Sequence, residues 1–125
     1  MSENELSRIV VDVAFKIHTT LGPGLLESVY QAVMIHELQR RDLSVEHEVP
    51  IPVSWEGLQL EVGFRADIIV EQKLILELKS VETVAPVHPK QVRTYLRLTG
   101  CKLGLLINFN VNLIKDGITR VVNGL

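Results

Sequence analysis

The spacing of apolar residues changes from helical to alternating near Leu43, and this change limits the possible fold more than any other feature of the chain. Between Leu6 and Leu21, apolar residues recur three and four positions apart, as on one face of an amphipathic helix. From Val45 to Trp55, apolar residues alternate with polar residues and prolines, as in a half-buried strand. The chain is therefore predicted to begin with helices and to continue as a sheet.

Two helices are predicted before the change. The first begins with Ser2 and Glu5 at the spacing of a capping box, and it ends at the turn Gly22-Pro23-Gly24. The second is predicted to run from about Leu26 to Arg41. Its apolar side, predicted to face the core, consists of Val29, Val33 and Leu38.

Five strands and a third helix are predicted after the change. The helix, opened by Pro86 and Pro89 and reaching about Leu98, is long enough to cross over into a parallel strand. Prolines place the first strand at an edge or partly outside the ladder, and Gly63 predicts a bend or a bulge in the second. The chain is thus predicted to be one α/β domain over residues 1–125, a mixed sheet flanked by helices in the order ααβββαββ. The predicted strands are 45–55, 58–70, 74–79, 103–109 and 118–122.

Composition excludes several classes of protein. The formal net charge is −2, so a strongly basic nucleic-acid binder is not supported and any such surface has to be local. Cys101 is the only cysteine, which excludes an intramolecular disulfide and a cysteine-based zinc site. No apolar run reaches the roughly 18 residues of a membrane span, and the acidic N-terminus lacks a signal-peptide pattern. A cytoplasmic protein without a membrane partner is expected.

Two carboxylates interrupt otherwise apolar strands. Asp67 lies in the second predicted strand and Glu77 in the third. If residues 71–73 form a three-residue hairpin loop, Val70 pairs with Leu74, and Asp67 then lies directly opposite Glu77. Cβ atoms of such a pair are roughly 4.5–5.5 Å apart.

Two carboxylates at this distance repel each other, so the pKa of one of them rises unless a positive charge lies between them. A divalent cation is the obvious candidate, because Mg²⁺ binds one or two carboxylates together with waters and a substrate phosphate. Lys79 lies on the same face of the third strand, where its ammonium group can orient water or stabilise charge on phosphorus. The alternative is an exposed charged face, which buried neighbours such as Ile75 make less favourable.

Asp67 followed by Glu77-Leu78-Lys79 on a hairpin resembles the PD-(D/E)XK nuclease superfamily, although Ala66 stands where the superfamily name has proline. The segment from Gly24 to Tyr30 reads Gly-x-x-Glu-x-x-Tyr and is similar to the GxxExxY group within that superfamily. Gln91 and Tyr95 match a QxxxY pattern found in some members. The resemblance covers about residues 5–122.

This resemblance implies a restriction-endonuclease-like fold and a nuclease that hydrolyses phosphodiester bonds of nucleic acid, with DNA as the expected substrate and Mg²⁺ or Mn²⁺ as cofactor. Fold transfers more safely than function, so the rival hypothesis is a non-catalytic binding module with a vestigial site. Low aromatic content, 5%, and the acidic net charge favour the rival. The expected site consists of the metal ligands Asp67 and Glu77 and the catalytic residues Lys79, Glu27, Gln91 and Tyr95.

Several of these residues have structural interpretations that stay open at this point. Glu27 lies in the first turn of a helix, where a carboxylate suits the helix dipole. Tyr30 is more often core packing than chemistry. Gln91 and Tyr95 form either a wall of the site or a solvated polar stripe.

Charge is distributed unevenly along the chain. Residues 73–102 carry six Lys and Arg against two acids, whereas residues 27–71 carry nine acids against three bases. The stripe of Lys90, Arg93 and Arg97 on the third helix suits a phosphate-tracking surface, although an ordinary solvated helix explains it equally well. Apolar segment 49–53 at a predicted edge, together with the small size of the chain, predicts a homodimer.

Overall fold

A five-stranded mixed sheet in the order β1-β4-β5-β6-β7 forms the centre of the molecule. The structure is a computed structural model, and it describes residues 1–61 and 63–125. Among these residues, every helix is too short or too polar to cross a lipid bilayer. The elements are α1 Glu3–Leu21, α2 Glu27–Arg40, β1 Val45–Pro50, β2 Val53–Trp55, β3 Leu58–Leu60, β4 Arg65–Val70, β5 Leu74–Lys79, α3 Val87–Thr99, β6 Leu103–Asn108, a 3-10 turn Ile114–Gly117 and β7 Ile118–Val122.

Both N-terminal helices form where they were predicted. The Glu5 backbone N–H donates to Ser2 Oγ at 3.1 Å and Ser2 N–H donates to Glu5 Oε1 at 3.4 Å, which confirms the capping box. The predicted buried face of α2 is confirmed at Leu38, which is fully buried, and in part at Val33, which is half-buried against the core, but it is wrong at Val29, which is 37% exposed. The helix packs on the sheet and α1 through residues spaced four apart, namely Tyr30, Met34 and Leu38.

The crossover through α3 is confirmed. β5 and β6 pair in parallel from Leu74↔Leu103 to Lys79↔Asn108, and these two strands are almost completely buried. The helices α1 and α2 pack on one face of the sheet and α3 on the other, so the sheet separates two apolar clusters. The predicted α/β architecture, a mixed sheet flanked by helices, is therefore confirmed.

The predicted strands 45–55 and 58–70 are each wrong in extent, because each breaks into two. Pro50 and Pro52 lack the N–H needed to continue the ladder, and between them the Ile51 N–H donates to the Phe64 carbonyl at 3.1 Å. Within the described residues, the outer parts pair with each other as a separate hairpin, β2 with β3. The order is therefore ααβββββαββ. The part of the second predicted strand at Val62 lies outside the described residues.

Candidate active site

The pairing of β4 with β5 opens at Asp67 and Glu77. Backbone pairing runs from Val70↔Leu74 to Ile68↔Leu76. At the next position the Asp67 N–H donates to Glu77 Oε1 at 3.1 Å. The Leu78 N–H then donates to Asp67 Oδ2 at 2.8 Å. The two carboxylates thus accept hydrogen bonds that backbone carbonyls accept elsewhere in the ladder. The predicted three-residue loop, the predicted register and the predicted proximity of Asp67 to Glu77 are confirmed.

Burial and mutual repulsion shift the acidities of this pair. Glu77 is 7% exposed, and its burial, followed by the charge of Asp67, raises its pKa to about 8. Burial is also the main cause that raises the pKa of Asp67. The positive charge of Lys79 opposes both shifts, but its effect is the smallest of the causes that act on either carboxyl group. The pair is short of positive charge and favours a cation or protons.

Lys79 lies at the end of β5 on a rigid support. Its carbonyl accepts from the Phe109 N–H at 2.9 Å, and its parallel partner is Asn108. The buried Asn108 side chain accepts from Val81 N–H at 3.1 Å and donates to Val81 O at 2.9 Å. This amide fixes the chain that leaves β5. Asn108 was not predicted from the sequence. It could have been noticed as a polar residue near the end of an apolar strand.

Glu27 begins α2 at the same end of β5. It is exposed, and its Oε2 accepts from the Ser80 N–H at 3.4 Å. Glu27 and Ser80 line an open cleft of about 530 Å³ together with Leu25 and Asn110. Within residues 1–61 and 63–125, no three His, Cys, Asp or Glu side chains converge as a metal-binding group. Glu27 therefore lies on this cleft, and among the described residues no hydrogen bond joins it to Asp67 or Glu77.

Tyr30 packs in the core, as expected for most tyrosines at such positions. Its ring is fully buried and stacks on Phe109 with centroids 4.3 Å apart. Its hydroxyl donates to the Gly22 carbonyl at 2.6 Å and accepts from the Leu25 N–H at 3.1 Å. The tyrosine thus closes the turn that places Glu27 at the start of α2.

Tyr95 borders the carboxylates from the α3 side of the sheet. It is 7% exposed, so a solvated stripe is wrong for this residue, and its ring meets Phe64 edge-on with centroids 5.8 Å apart. Burial and then the charges of Glu77 and Asp67 raise the pKa of its hydroxyl. Gln91, one turn earlier, is half-buried. In the described part of the chain, no hydrogen bond joins Gln91 to Lys79.

The basic residues of α3 lie on its exposed side. Lys90, Arg93 and Arg97 are all exposed. Lys90 and Arg93 line a groove of about 460 Å³ between α3 and β7, with Thr119 on the opposite wall. In the strand order, β6 separates this groove from β4 and β5.

The protein is thus of the mixed α/β class, and its sheet opens at a buried and a half-buried carboxylate, Glu77 and Asp67, with a lysine two residues further along the strand. A family model described as PD-(D/E)XK nuclease superfamily matches residues 4–121. The chain belongs to this superfamily. Neither the curated proteins nor the solved structures that were compared include a match.

Proposed function

We propose that the chain is a metal-dependent nuclease that hydrolyses phosphodiester bonds of nucleic acid, with DNA as the expected substrate. The observation that carries this proposal is the Asp67–Glu77 pair at the opening of the sheet, of which Glu77 is buried and Asp67 half-buried, with Lys79 two residues beyond Glu77 on the same strand. Membership of a nuclease superfamily supports the reaction class.

The residues of the pair fit Mg²⁺ or Mn²⁺. Both are hard cations that bind carboxylate oxygens, and Mg²⁺ commonly takes one or two protein carboxylates while keeping several waters. Two carboxylates without a third acid match that preference. Burial, and for Glu77 also the charge of Asp67, raises the pKa values of both groups, and a bound cation would favour their charged forms. We assign Asp67 and Glu77 as the metal ligands, and the cation would supply Lewis acidity toward a phosphoryl oxygen.

The neighbouring residues supply the remaining functions. Hydrolysis adds water to phosphorus and breaks the bond to the leaving sugar oxygen. We assign Lys79 to orient the attacking water or to stabilise the charge that develops on phosphorus. Glu27 faces the cleft and assists at its entrance, while Tyr95 and Gln91 form the wall on the α3 side.

Binding of the nucleic acid is assigned to the exposed cations of α3. Lys90, Arg93 and Arg97 provide phosphate contacts that carry no sequence information, so sequence specificity is expected to be weak. Gly24, Glu27 and Tyr30 support placement in the GxxExxY group. A single domain over residues 1–125, a homodimer and a cytoplasmic location stay predictions.

The rival function is a binding module of the same fold without catalysis, which the net charge of −2 favours. Plasmid nicking in Mg²⁺, Mn²⁺ and EDTA separates the two. The Asp67→Asn variant is the test and Asp12→Asn, an exposed aspartate of α1, is the matched control. Nicking that requires the metal, survives in Asp12→Asn and is lost in Asp67→Asn supports the nuclease. If wild type cleaves neither DNA nor RNA with either metal, the binding module is the better account.

A further inference from the structure

The backbone of Asp67 is held by side chains on both sides. Its N–H donates to the Glu77 carboxylate at 3.1 Å, and its carbonyl accepts from Gln31 Nε2 at 3.3 Å. Inside a sheet, these backbone groups normally bond to the backbone of neighbouring strands. The orientation of Asp67 therefore depends on Gln31 as well as on Glu77.

The ladder between β1 and β4 is interrupted at the same point. His47 pairs with Ile68 and Val49 with Ala66, so Glu48 occupies the register position opposite Asp67. The described pairs do not include that position, and Glu48 has a φ of 50°, in the left-handed region that strands avoid. Departures of this kind persist only where the surroundings enforce them.

One amide group fills the gap. Gln31 Nε2 donates to Glu48 Oε1 at 2.9 Å and also to the Asp67 carbonyl. An amide nitrogen carries two hydrogens, so both bonds form together. The Glu48 carboxylate can only accept a hydrogen bond, so it fixes the Gln31 amide with its NH₂ group toward Glu48. In that orientation the other hydrogen of the NH₂ group points at the Asp67 carbonyl.

Gln31 approaches from a rigid element. It lies one turn beyond Glu27 on α2, between the buried Tyr30 and Met34. The side chain is therefore anchored by helix packing rather than by a loop. Sites built on packed helices hold their geometry more closely than sites on loops.

We propose that Gln31 and Glu48 are positioning residues for the Asp67 carboxylate. Gln31 holds the Asp67 backbone, and Glu48 acts as the hydrogen-bond acceptor that orients Gln31. This inference rests on the proposed function, because the group being positioned is a proposed metal ligand. Loss of such an outer partner typically lowers metal affinity 10–100-fold.

Four variants separate positioning from charge. Gln31→Met removes the donor, and Glu48→Ala removes the acceptor. Glu48→Gln removes only the charge, since an amide oxygen still accepts from Gln31. The matched control is Gln39→Met, an exposed glutamine of the same helix. Thermal unfolding identifies the temperature at which all four variants and wild type are folded.

Calorimetric titration with Mn²⁺ is the first measurement. We expect Gln31→Met and Glu48→Ala to weaken Mn²⁺ binding at least about 10-fold. Gln39→Met should bind as wild type does, and Glu48→Gln should bind far more tightly than Glu48→Ala, with only a slight loss from removing a negative charge that acts on Asp67. If Glu48→Gln is as weak as Glu48→Ala, Glu48 acts through its charge and the proposal is overturned. Unchanged affinity in Gln31→Met overturns it as well.

Amide hydrogen exchange without metal is the second measurement, and it is independent of the nuclease assignment. We expect the Asp67 and Leu78 amides to exchange faster in Gln31→Met and Glu48→Ala, with that of Ile107 in β6 unchanged. If wild type binds no Mn²⁺, the proposed function fails while these exchange rates still decide the positioning. Unchanged exchange at Asp67 in both variants contradicts the proposal.

Discussion

The Leu78 N–H donates to Asp67 Oδ2 at 2.8 Å, so a side chain on β4 replaces a backbone acceptor for β5. The ladder can open here because each strand supplies a carboxylate that accepts from the other. Opening the sheet leaves oxygen atoms of Asp67 and Glu77 close together in a largely buried position. The two carboxylates that satisfy the backbone N–H groups at this opening thus also concentrate negative charge at one point.

This concentration of charge predicts a pH-dependent stability in metal-free buffer. The pKa of Glu77 is raised from 4.5 to about 8, so the folded state binds more protons than the unfolded state between those values. The contribution of Glu77 protonation to the free energy of unfolding is therefore complete below about pH 4.5, and it is lost as the pH rises toward 8. We expect the free energy of unfolding of wild type to fall by on the order of 1–4 kcal/mol more than that of Glu77→Gln across this range.

Urea unfolding of both proteins at several pH values in EDTA measures the difference. Glu61→Gln, at an exposed position, is the control and should follow wild type. Parallel curves for wild type and Glu77→Gln would show that Glu77 has an ordinary acidity.

The close packing of α3 on β6 predicts a steric effect at Gly104. A Cβ atom at Gly104 would lie 2.6 Å from Val92 Cγ1 and 3.5 Å from the Ile75 carbonyl oxygen. We expect Gly104→Ala to destabilise the protein by about 1–3 kcal/mol, as other overpacked cores do. Adding Val92→Ala removes the first contact, so the double variant should lose less than the sum of the two single effects. Additive effects in chemical unfolding would contradict this explanation.

The register at Asp67 and Glu77 was predictable because two local rules determine it. A three-residue loop fixes which residues pair, and the period of two then fixes the face on which each side chain lies. Both rules need only neighbouring residues. Alternation did not predict the break at Pro50 and Pro52, because the alternating pattern continues into β2 while the partner strand changes. The two prolines did predict that this segment lies at an edge or partly outside the ladder.

The contacts of Gln31 and Glu48 illustrate what local patterns miss. Glu48 has the appearance of an ordinary polar position in an alternating strand, and Gln31 that of an ordinary helix surface residue. Their relation to Asp67 depends on how α2 lies over the edge of the sheet. That placement is determined by the buried face of Tyr30, Met34 and Leu38, of which the sequence predicted only Leu38.

The hydroxyl of Tyr30 predicts a stability effect separate from its ring. Tyr30→Phe keeps the stack on Phe109 but removes the bonds to the Gly22 carbonyl and the Leu25 N–H. We expect a loss of about 1–2 kcal/mol in chemical unfolding, the usual cost of leaving partly buried groups without a partner. Tyr30→Leu should cost more, since it also removes the aromatic contact. Equal stability of Tyr30→Phe and wild type would show that water replaces the hydroxyl.

The last prediction separates the role of Lys79 from those of the metal ligands. Asp67→Asn removes an anionic oxygen and should weaken Mn²⁺ binding in calorimetry. Lys79→Met removes a positive charge beside the pair, so Mn²⁺ binding should be retained or slightly tightened. Cleavage by Lys79→Met should nevertheless fall roughly 10²–10³-fold, the scale for losing one preorganised electrostatic group. Lys102→Met, an exposed lysine before β6, controls for net charge in the same nicking assay. If Lys79→Met cleaves as fast as an active wild type, Lys79 is structural and its assigned role is wrong.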